Sequence, residues 1–257
     1  MPLLAVDIGN SHTALGLVAD GVVSADWRVS TDDHRAADEW AVLLRGLLGP
    51  ALASVEGVAV CSTVPAVLHE WREMLVRHFA DVPSLVVEPG VRTGVPVLVD
   101  NPREVGTDRI INALAAVHEY GGPAIVVDFG GTATTFDVVN PAGQYVGGAI
   151  APGLELSLDA LGQRGAQLRK VELARPRSVI ARNTVEALQS GMVFGAAAQV
   201  DGLVARMAAD LGVDLGDVRV IATGHLADLV LGECAVFTDH APWLTLRGLE
   251  IAFRRNR

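Results

Sequence analysis

A segment of thirteen residues occurs twice in this chain, and its two copies align without a gap. The first copy runs from Val6 to Val18 and the second from Val127 to Val139, and both share their Val, Asp, Gly, Thr and final Val positions. In each copy an apolar run ends in an aspartate, a turn rich in glycine and hydroxyl side chains follows, and a second apolar run begins. This pattern predicts two antiparallel strands joined by a short turn.

A second turn follows each copy, at Asp20-Gly21 and at Pro141-Ala142-Gly143, so each half of the chain is predicted to open with a three-stranded meander. A chain of 257 residues with 50% hydrophobic content can bury a generous core as two domains of about 125 residues each. The repetition therefore indicates a duplicated α/β domain, with one copy over residues 1–118 and the other over 119–257. We expect the paired turns to face one another across a cleft.

The two turns have the composition of a phosphate site. Glycine leaves backbone N–H groups unobstructed, and these groups together with hydroxyls suit phosphate oxygens. Asp7 and Asp128, at the ends of the first strands, can hold the cation that accompanies a polyphosphate. One aspartate at the end of a strand often only begins a turn, but its repetition favours the functional interpretation.

The charge and composition exclude several classes of protein. A net charge of −10 and a pI near 5.1 argue against a nucleic-acid partner, because phosphate backbones require basic surfaces. Lys170 is the only lysine, and no glycine loop precedes it, which argues against Walker-loop, protein-kinase and Schiff-base chemistry. The sequence contains no CxxC pair, no HExxH motif and no closely spaced histidines, so a zinc site is not expected.

The distribution of apolar residues predicts a cytoplasmic protein that does not associate with membranes. Its apolar runs are short and interrupted by charges or glycine, and no basic region precedes the first strand, so neither a membrane span nor a secretory signal is expected. The two cysteines, Cys61 and Cys234, lie in apolar stretches and are interpreted as buried free thiols.

Strand-like runs alternate with helical ones, which predicts mixed sheets flanked by helices. Expected strands cover Leu3–Ile8, Thr13–Val18, Val22–Val29, Val58–Cys61, Ser84–Val87 and Val218–Ala222, with the second meander over Ala124–Ile150. Expected helices cover Ala36–Leu48, Pro65–Phe79, Gly106–Tyr120, Asn183–Leu211 and Leu244–Arg255, with one more after the strand that ends at Ala222. The segment 88–103, rich in proline and glycine, is the place for a binding loop.

Four further motifs have a structural interpretation, and three of them also have a functional one. Gly106–Arg109 opens a helix, where Asp108 either stabilises the helix N-terminus or accepts a proton from a substrate hydroxyl while Arg109 pairs with an anionic group. Gly147–Gly153 is either a structural corner or a place where backbone approaches a ligand. Asn183-Thr184 is first of all an N-cap. Thr223–His225 follows a strand and could line a nucleotide pocket or simply form a loop.

Taken together, these motifs resemble those of type III pantothenate kinase, a family of the actin/Hsp70/sugar-kinase superfamily, over essentially the whole chain. The residues that carry the resemblance are Asp7-Ile8-Gly9-Asn10-Ser11, Asn101 to Arg109 with Asn112 and Ala115, Asp128-Phe129-Gly130 with Thr132-Ala133-Thr134, Gly147-Gly148 with Pro152-Gly153, Asn183-Thr184 with Ser190-Gly191, and Leu244-Thr245-Leu246 with Gly248-Leu249. The resemblance implies two actin-like (ribonuclease H-like) domains, each with a mixed five-stranded sheet flanked by helices.

The resemblance also implies roles for individual residues. ATP phosphates would be held by Thr132 and by the first turn, which comprises Asp7, Ile8, Gly9, Asn10, Ser11, His12, Thr13 and Ala14. Asp108 would be the proton acceptor for the primary hydroxyl of pantothenate. Gly106, Thr107, Asp108 and Arg109 would form the wall of the pantothenate site, which the positions of Val99 and Thr184 would complete.

The implied activity is ATP-dependent phosphorylation of pantothenate to 4′-phosphopantothenate, the first step of coenzyme A synthesis. The implied cofactors are Mg²⁺ and a monovalent cation, K⁺ or NH₄⁺, the latter at Asp128, and the implied assembly is a homodimer. Two alternatives remain at this point: a non-catalytic regulatory homologue that binds nucleotide or a protein partner, and a kinase of another small alcohol such as a sugar.

Overall fold

The computed structural model of the protein describes residues 1–164 and 171–257, so Lys170 lies outside the described residues. Its strands are β1 (Leu3–Ile8), β2 (His12–Ala19), β3 (Val22–Ser30), β4 (Gly57–Ser62), β5 (Ser84–Val86), β6 (Ala124–Phe129), β7 (Ala133–Val139), β8 (Tyr145–Pro152), β9 (Arg219–Thr223) and β10 (Asp239–His240). Its α-helices are α1 (Ala37–Leu48), α2 (Pro65–His78), α3 (Thr107–Tyr120), α4 (Leu154–Arg164), α5 (Thr184–Leu211), α6 (Ala227–Leu231) and α7 (Leu244–Asn256). Short 3₁₀ helices cover Gly49–Ser54, Pro102–Glu104 and Leu215–Asp217.

The chain divides into two units. The first comprises residues 1–95, 100–115 and 243–257, and the second comprises residues 96–99 and 116–242. The sequence placed the whole C-terminal stretch in the second half, whereas α7 groups with the first unit. The reason is its apolar face: Phe253 lies against Gly57 of β4, and Leu246 lies against Gly16 of β2.

Each unit contains one five-stranded mixed sheet, and the two sheets have the same topology. In the first, the order is β3-β2-β1-β4-β5, with β2 antiparallel to β1 and β4 parallel to it. In the second, the order is β10-β9-β6-β7-β8, with β7 antiparallel to β6 and β9 parallel to it. The expected duplicated α/β fold with two mixed sheets is therefore confirmed.

The pairing register shows how closely the second copy repeats the first. Leu3 pairs with Val18 in the first copy, and Ala124 pairs with Val139 at the corresponding point of the second. Because a slip of one residue would turn every side chain to the opposite face, the shared register places Asp7 and Asp128 at equivalent positions.

The helices are formed by ordinary local signals and held by apolar faces. In the first unit, Trp40 of α1 and Trp71 of α2 are fully buried, with their ring centroids 5.3 Å apart. In the second unit, α5 begins at an N-cap, Asn183, whose side chain accepts a hydrogen bond from the backbone N–H of Glu186. It ends at Gly212 in the left-handed conformation.

No helix within residues 1–164 and 171–257 combines the length and the apolar character needed to cross a membrane.

Candidate active site

The first turn joins β1 to β2 and is held by its own backbone and by Thr31. The N–H of Gly9 donates to the carbonyl of His12 at 3.0 Å, and the Thr31 hydroxyl donates to the carbonyl of Gly9 at 2.7 Å. A Cβ at Gly9 would lie only 3.1 Å from the His12 carbonyl oxygen, so this position favours glycine. The tight turn thus leaves its tip open.

The predicted phosphate residues of this turn divide into two groups. The side chains of Ile8 and Thr13 are buried and support the turn from within. Asn10 and Ser11 at the tip are exposed, and Asp7, Gly9, His12 and Ala14 are partly exposed. In the second group, polar side chains are available to a ligand at Asp7, Asn10, Ser11 and His12, whereas Ile8 and Thr13 can contribute through the backbone.

Asp7 has a partner that the sequence did not indicate. Cys61 is the in-register neighbour of Asp7 on β4, and its thiol donates a hydrogen bond to Oδ1 of Asp7 at 3.3 Å. Burial, together with the negative charges of Asp7 and Asp108, raises the pKa of the Cys61 thiol well above its ordinary value. The thiol therefore remains protonated and serves as a donor. Cys61 is buried and free, as predicted, but its surroundings are not wholly apolar.

Asp108 lies in the first turn of α3, and the start of this helix is tied to β4. The Thr107 hydroxyl accepts from the backbone N–H of Ser62 and donates to the carbonyl of the same residue, at 3.1 Å each. A Cβ at Gly106 would lie 2.4 Å from Oδ1 of Asp108, so a side chain there would displace the carboxylate. Gly106 and Thr107 thus fix the position of Asp108 relative to β4, the strand that carries Cys61.

The Asp108 carboxylate is buried in a way that suits a base. Its Oδ1 atom is shielded from solvent and accepts no hydrogen bond from any residue that the structure describes. Burial raises the pKa of Asp108 above its ordinary value, and the backbone N–H and the positive charge of Arg109 partly oppose that rise. A carboxylate with an unused lone pair and a raised pKa accepts a proton more readily than an exposed one.

The second turn has the same length as the first but different support. Phe129 pairs with Thr134 where Ile8 pairs with Thr13, so Gly131 fills the position of Asn10. The N–H of Gly153 donates to the carbonyl of Thr132 at 2.9 Å, and a Cβ at Gly153 would lie 2.4 Å from the carbonyl oxygen of Gly131. The C-terminal end of the segment Gly147–Gly153 is therefore a structural corner, which packs on this turn.

The Asp128 carboxylate lies close to the backbone of Gly224, whereas the Asp7 carboxylate contacts the side chain of Cys61. Thr223 of β9 is its in-register neighbour and is buried. The next residue, Gly224, has a φ of +88°, and a Cβ there would lie 2.5 Å from Oδ1 of Asp128. The Thr223-Gly224 pair thus lies beside this aspartate, and glycine is required both by conformation and by space.

The structure also locates the remaining predicted residues. Val99 lies beside Gly147, and the side chain of Val99 would be 3.9 Å from a Cβ at that glycine. Thr184 is the exposed first residue of α5, directly after the N-cap. Arg109 is partly exposed on α3. The first unit thus holds Asp7–Ala14 and Gly106–Arg109, and the second holds Val99, Asp128, Thr132 and Thr184.

The fold resembles that of solved actin-like proteins. An activator of 2-hydroxyisocaproyl-CoA dehydratase from Clostridium difficile, solved with bound ADPNP, matches with a TM-score of 0.58 at 14% identity, over 100% of this chain and 96% of that one. Component A of (R)-2-hydroxyglutaryl-CoA dehydratase from Acidaminococcus fermentans matches with a TM-score of 0.53 at 14% identity, over 99% and 97% of the two chains. These matches and the two mixed sheets of the same topology show that the chain has a fold of the actin-like class.

Sequence comparison narrows the class to one family. The sequence model of type III pantothenate kinase matches residues 3–206. A type III pantothenate kinase from Nocardioides sp. is 77% identical over 256 residues and 100% of both chains, and one from Streptomyces griseus is 62% identical over 99% of this chain and 98% of its own. The chain belongs to the type III pantothenate kinase family.

Proposed function

We propose that this chain transfers the γ-phosphoryl group of ATP to the 4′-hydroxyl of pantothenate, the first step of coenzyme A synthesis. Membership of the family supports the reaction. One observation supports its mechanism most directly: the buried Oδ1 of Asp108, whose lone pairs are unused among the described residues. A carboxylate in this state is ready to receive a substrate hydroxyl.

Asp108 acts as the residue that orients the hydroxyl and accepts its proton. In phosphoryl transfer, positioning and charge neutralisation dominate, and general-base assistance contributes about 10²–10⁴-fold. The tie between Thr107 and Ser62 holds the start of α3 in place. Because the Thr107 hydroxyl is engaged there, Thr107 shapes the wall of the pantothenate site and does not donate to the substrate.

The other contacts with pantothenate are also part of this proposal. The guanidinium of Arg109 pairs with the carboxylate of pantothenate, for which its planar donors are well suited. Gly106 contributes backbone to the same wall. In the second unit, Val99 supplies an apolar surface and Thr184 a hydroxyl, because its side chain is exposed at the start of α5.

The two turns bind the phosphates of ATP and its Mg²⁺. Asp7 offers a hard carboxylate oxygen of the kind that Mg²⁺ prefers, and the exposed Asn10 and Ser11 lie beside it. Thr132 offers a hydroxyl on the second turn. When bound, Mg²⁺ neutralises the charge that develops on the transferred group. The first turn orients the phosphates through its backbone N–H groups.

Asp128 holds the monovalent cation, K⁺ or NH₄⁺. Its carboxylate oxygen lies against the backbone of Gly224, where a side chain would not fit. Carboxylate oxygens are among the ligands that such cations accept, so the Asp128 side chain suits this role. The Asp128 position also repeats that of Asp7, which supports a role for both acids in binding cations.

We further propose a cytoplasmic homodimer. The second unit exposes several large apolar side chains, namely Ile150, Leu156, Leu161 and Val185. Apolar groups of this kind favour burial against a second copy. ATP, the phosphoryl donor, is a cytoplasmic metabolite. Light scattering should give the mass of two chains, and the mass of one chain would contradict the dimer.

A coupled assay tests the proposed function. Purified protein is incubated with MgATP, KCl and either pantothenate or a panel of sugars, and release of ADP is followed. We expect turnover with pantothenate and none with the sugars. Turnover with a sugar and not with pantothenate would indicate a kinase of another alcohol. Binding of nucleotide without turnover on any acceptor would indicate a regulatory homologue.

A further inference from the structure

We propose that Cys61 is a positioning residue, whose thiol orients the Asp7 carboxylate for binding MgATP. This inference rests on the proposed function, because it assigns a task to a neighbour of Asp7. Cys61 itself is fully buried and touches no solvent. It therefore acts through Asp7 and not on the substrate.

The sheet of the first unit holds Cys61 beside Asp7. Cys61 and Asp7 are in-register partners on the parallel strands β4 and β1. The thiol donates to Oδ1 of Asp7 at 3.3 Å, within the range of a hydrogen bond to sulfur. A hydrogen bond to one carboxylate oxygen restricts rotation of the group, because the donor is fixed by the sheet. The other oxygen then points in a defined direction.

The same strand also positions the proposed base. Ser62, the residue after Cys61, is bound on both its N–H and its carbonyl by the Thr107 hydroxyl at the start of α3. The end of β4 thus contacts the phosphate turn through one residue and the helix of Asp108 through the next. A change at Cys61 should therefore affect binding of MgATP first, since the Ser62–Thr107 contact does not use the side chain of Cys61.

The second unit shows that a hydrogen-bonding side chain recurs at this point of the duplicated fold. Thr223 occupies the position beside Asp128 that Cys61 occupies beside Asp7, and it is buried as well. Thiol and hydroxyl groups both carry one donor proton. A purely apolar residue would pack equally well in such a strand, which favours a role for the donor over one for volume alone.

The test compares Cys61→Ala, which removes the donor, with Cys61→Ser, which keeps it. Cys234→Ala is the matched control, since Cys234 is the other free thiol and donates to the carbonyl of Val230 rather than to a carboxylate. Affinity for MgATP is measured by calorimetry without pantothenate, and KM for each substrate and kcat are measured with it. Melting temperatures show whether each variant is folded.

We expect Cys61→Ala to weaken MgATP binding about five- to tenfold. A hydrogen bond to a charged group contributes more free energy than one between neutral groups, but a thiol is a weak donor, so the loss is moderate. KM for pantothenate should change less than twofold, Cys61→Ser should recover most of the affinity, and Cys234→Ala should behave as wild type. Equal affinity in Cys61→Ala and wild type would overturn the proposal, as would equal losses in the alanine and serine variants. Absence of pantothenate turnover in the wild type would instead reject the proposed function, while the calorimetry still decides the role of Cys61.

Discussion

The two turn aspartates occupy equivalent positions in a duplicated fold, yet their neighbours differ. Asp7 receives a hydrogen bond from the Cys61 thiol, whereas Oδ1 of Asp128 lies against the backbone of Gly224. The shared register fixes where each carboxylate lies, and the neighbouring strand determines what surrounds it. The duplicated scaffold thus provides two acids whose surroundings suit different tasks.

The outer turns of the two meanders differ in the same way. Asp20-Gly21, between β2 and β3, is held from a distance: its two backbone N–H groups donate to the buried carboxylate of Glu250 on α7 at 2.8 Å each. In the second unit, the Asn140 side chain caps its own turn by accepting from the N–H groups of Ala142 and Gln144 at 3.0 Å each. The Asp20-Gly21 turn thus depends on a tertiary contact, whereas the turn after Asn140 is held by local hydrogen bonds.

The largest expected effect separates the two aspartates. Asp7→Asn should lower kcat/KM for MgATP by about 10²-fold or more, because it removes the negative charge that we assign to Mg²⁺. Asp128→Asn should instead abolish the response of turnover to KCl. Turnover is titrated against KCl, with choline chloride keeping the ionic strength constant.

The comparison between the aspartates fails if both variants lose the same property. A KCl response retained in Asp128→Asn would remove the cation from that residue. Wild-type affinity for MgATP in Asp7→Asn would remove Mg²⁺ from the first turn.

The next effect compares the outer turns. Glu250→Ala leaves two N–H groups of the Asp20-Gly21 turn without their acceptor and Arg254 without its buried partner, so we expect a loss of about 3 kcal/mol in the free energy of unfolding. Asn140→Ala should cost about 1 kcal/mol, since water can replace the bonds of an exposed local turn. Urea denaturation measures both.

Tryptophan fluorescence sharpens this experiment. All four tryptophans, Trp27, Trp40, Trp71 and Trp243, belong to the first unit. The fluorescence transition should therefore shift in Glu250→Ala, while far-UV circular dichroism reports both units. An unchanged fluorescence transition in Glu250→Ala would show that α7 does not stabilise the first meander.

The smallest expected effect concerns stability at Asp108. Burial raises the pKa of this carboxyl, so the folded state binds its proton more tightly than the unfolded state does. Ionising Asp108 therefore costs stability, and the cost grows as pH rises from the unfolded pKa through the folded one. Asp108→Asn, which has no charge to desolvate, should therefore be more stable than wild type at pH 7.

The pH dependence provides the control. The difference between Asp108→Asn and wild type should shrink as pH falls towards the ordinary pKa of aspartate, because the wild-type carboxyl is then protonated. Melting temperatures measured across this range check it. A difference that stays constant with pH would mean that desolvation of the charge is not its cause.

The sequence predicted the local features of this molecule well. The copies of the repeated segment align without a gap in the structure as they do in the sequence, because period-two patterns fix strand register. The first strand, Leu3–Ile8, has the predicted bounds, and the helices that begin at Ala37, Pro65 and Thr107 lie within a residue of expectation. Pro65 marks the start of α2, and Glu39 marks that of α1 by accepting from the N–H of Ala36.

Contacts between distant residues could not be predicted in this way. The thiol of Cys61 contacts Asp7 because β4 pairs in parallel with β1. The local sequence around Cys61 does not indicate which strand β4 pairs with. Likewise, Glu250 contacts a turn at the other end of the chain. No bounds were predicted for helix α4, which begins directly after Gly153.

The turnover of Asp108→Asn with pantothenate decides whether Asp108 is the base. The substitution keeps the shape of the side chain but removes its ability to accept a proton. We predict that kcat falls by about 10²-fold or more while the protein stays folded, as judged by its melting temperature. A folded variant with near wild-type kcat would contradict the assignment of Asp108 as the base.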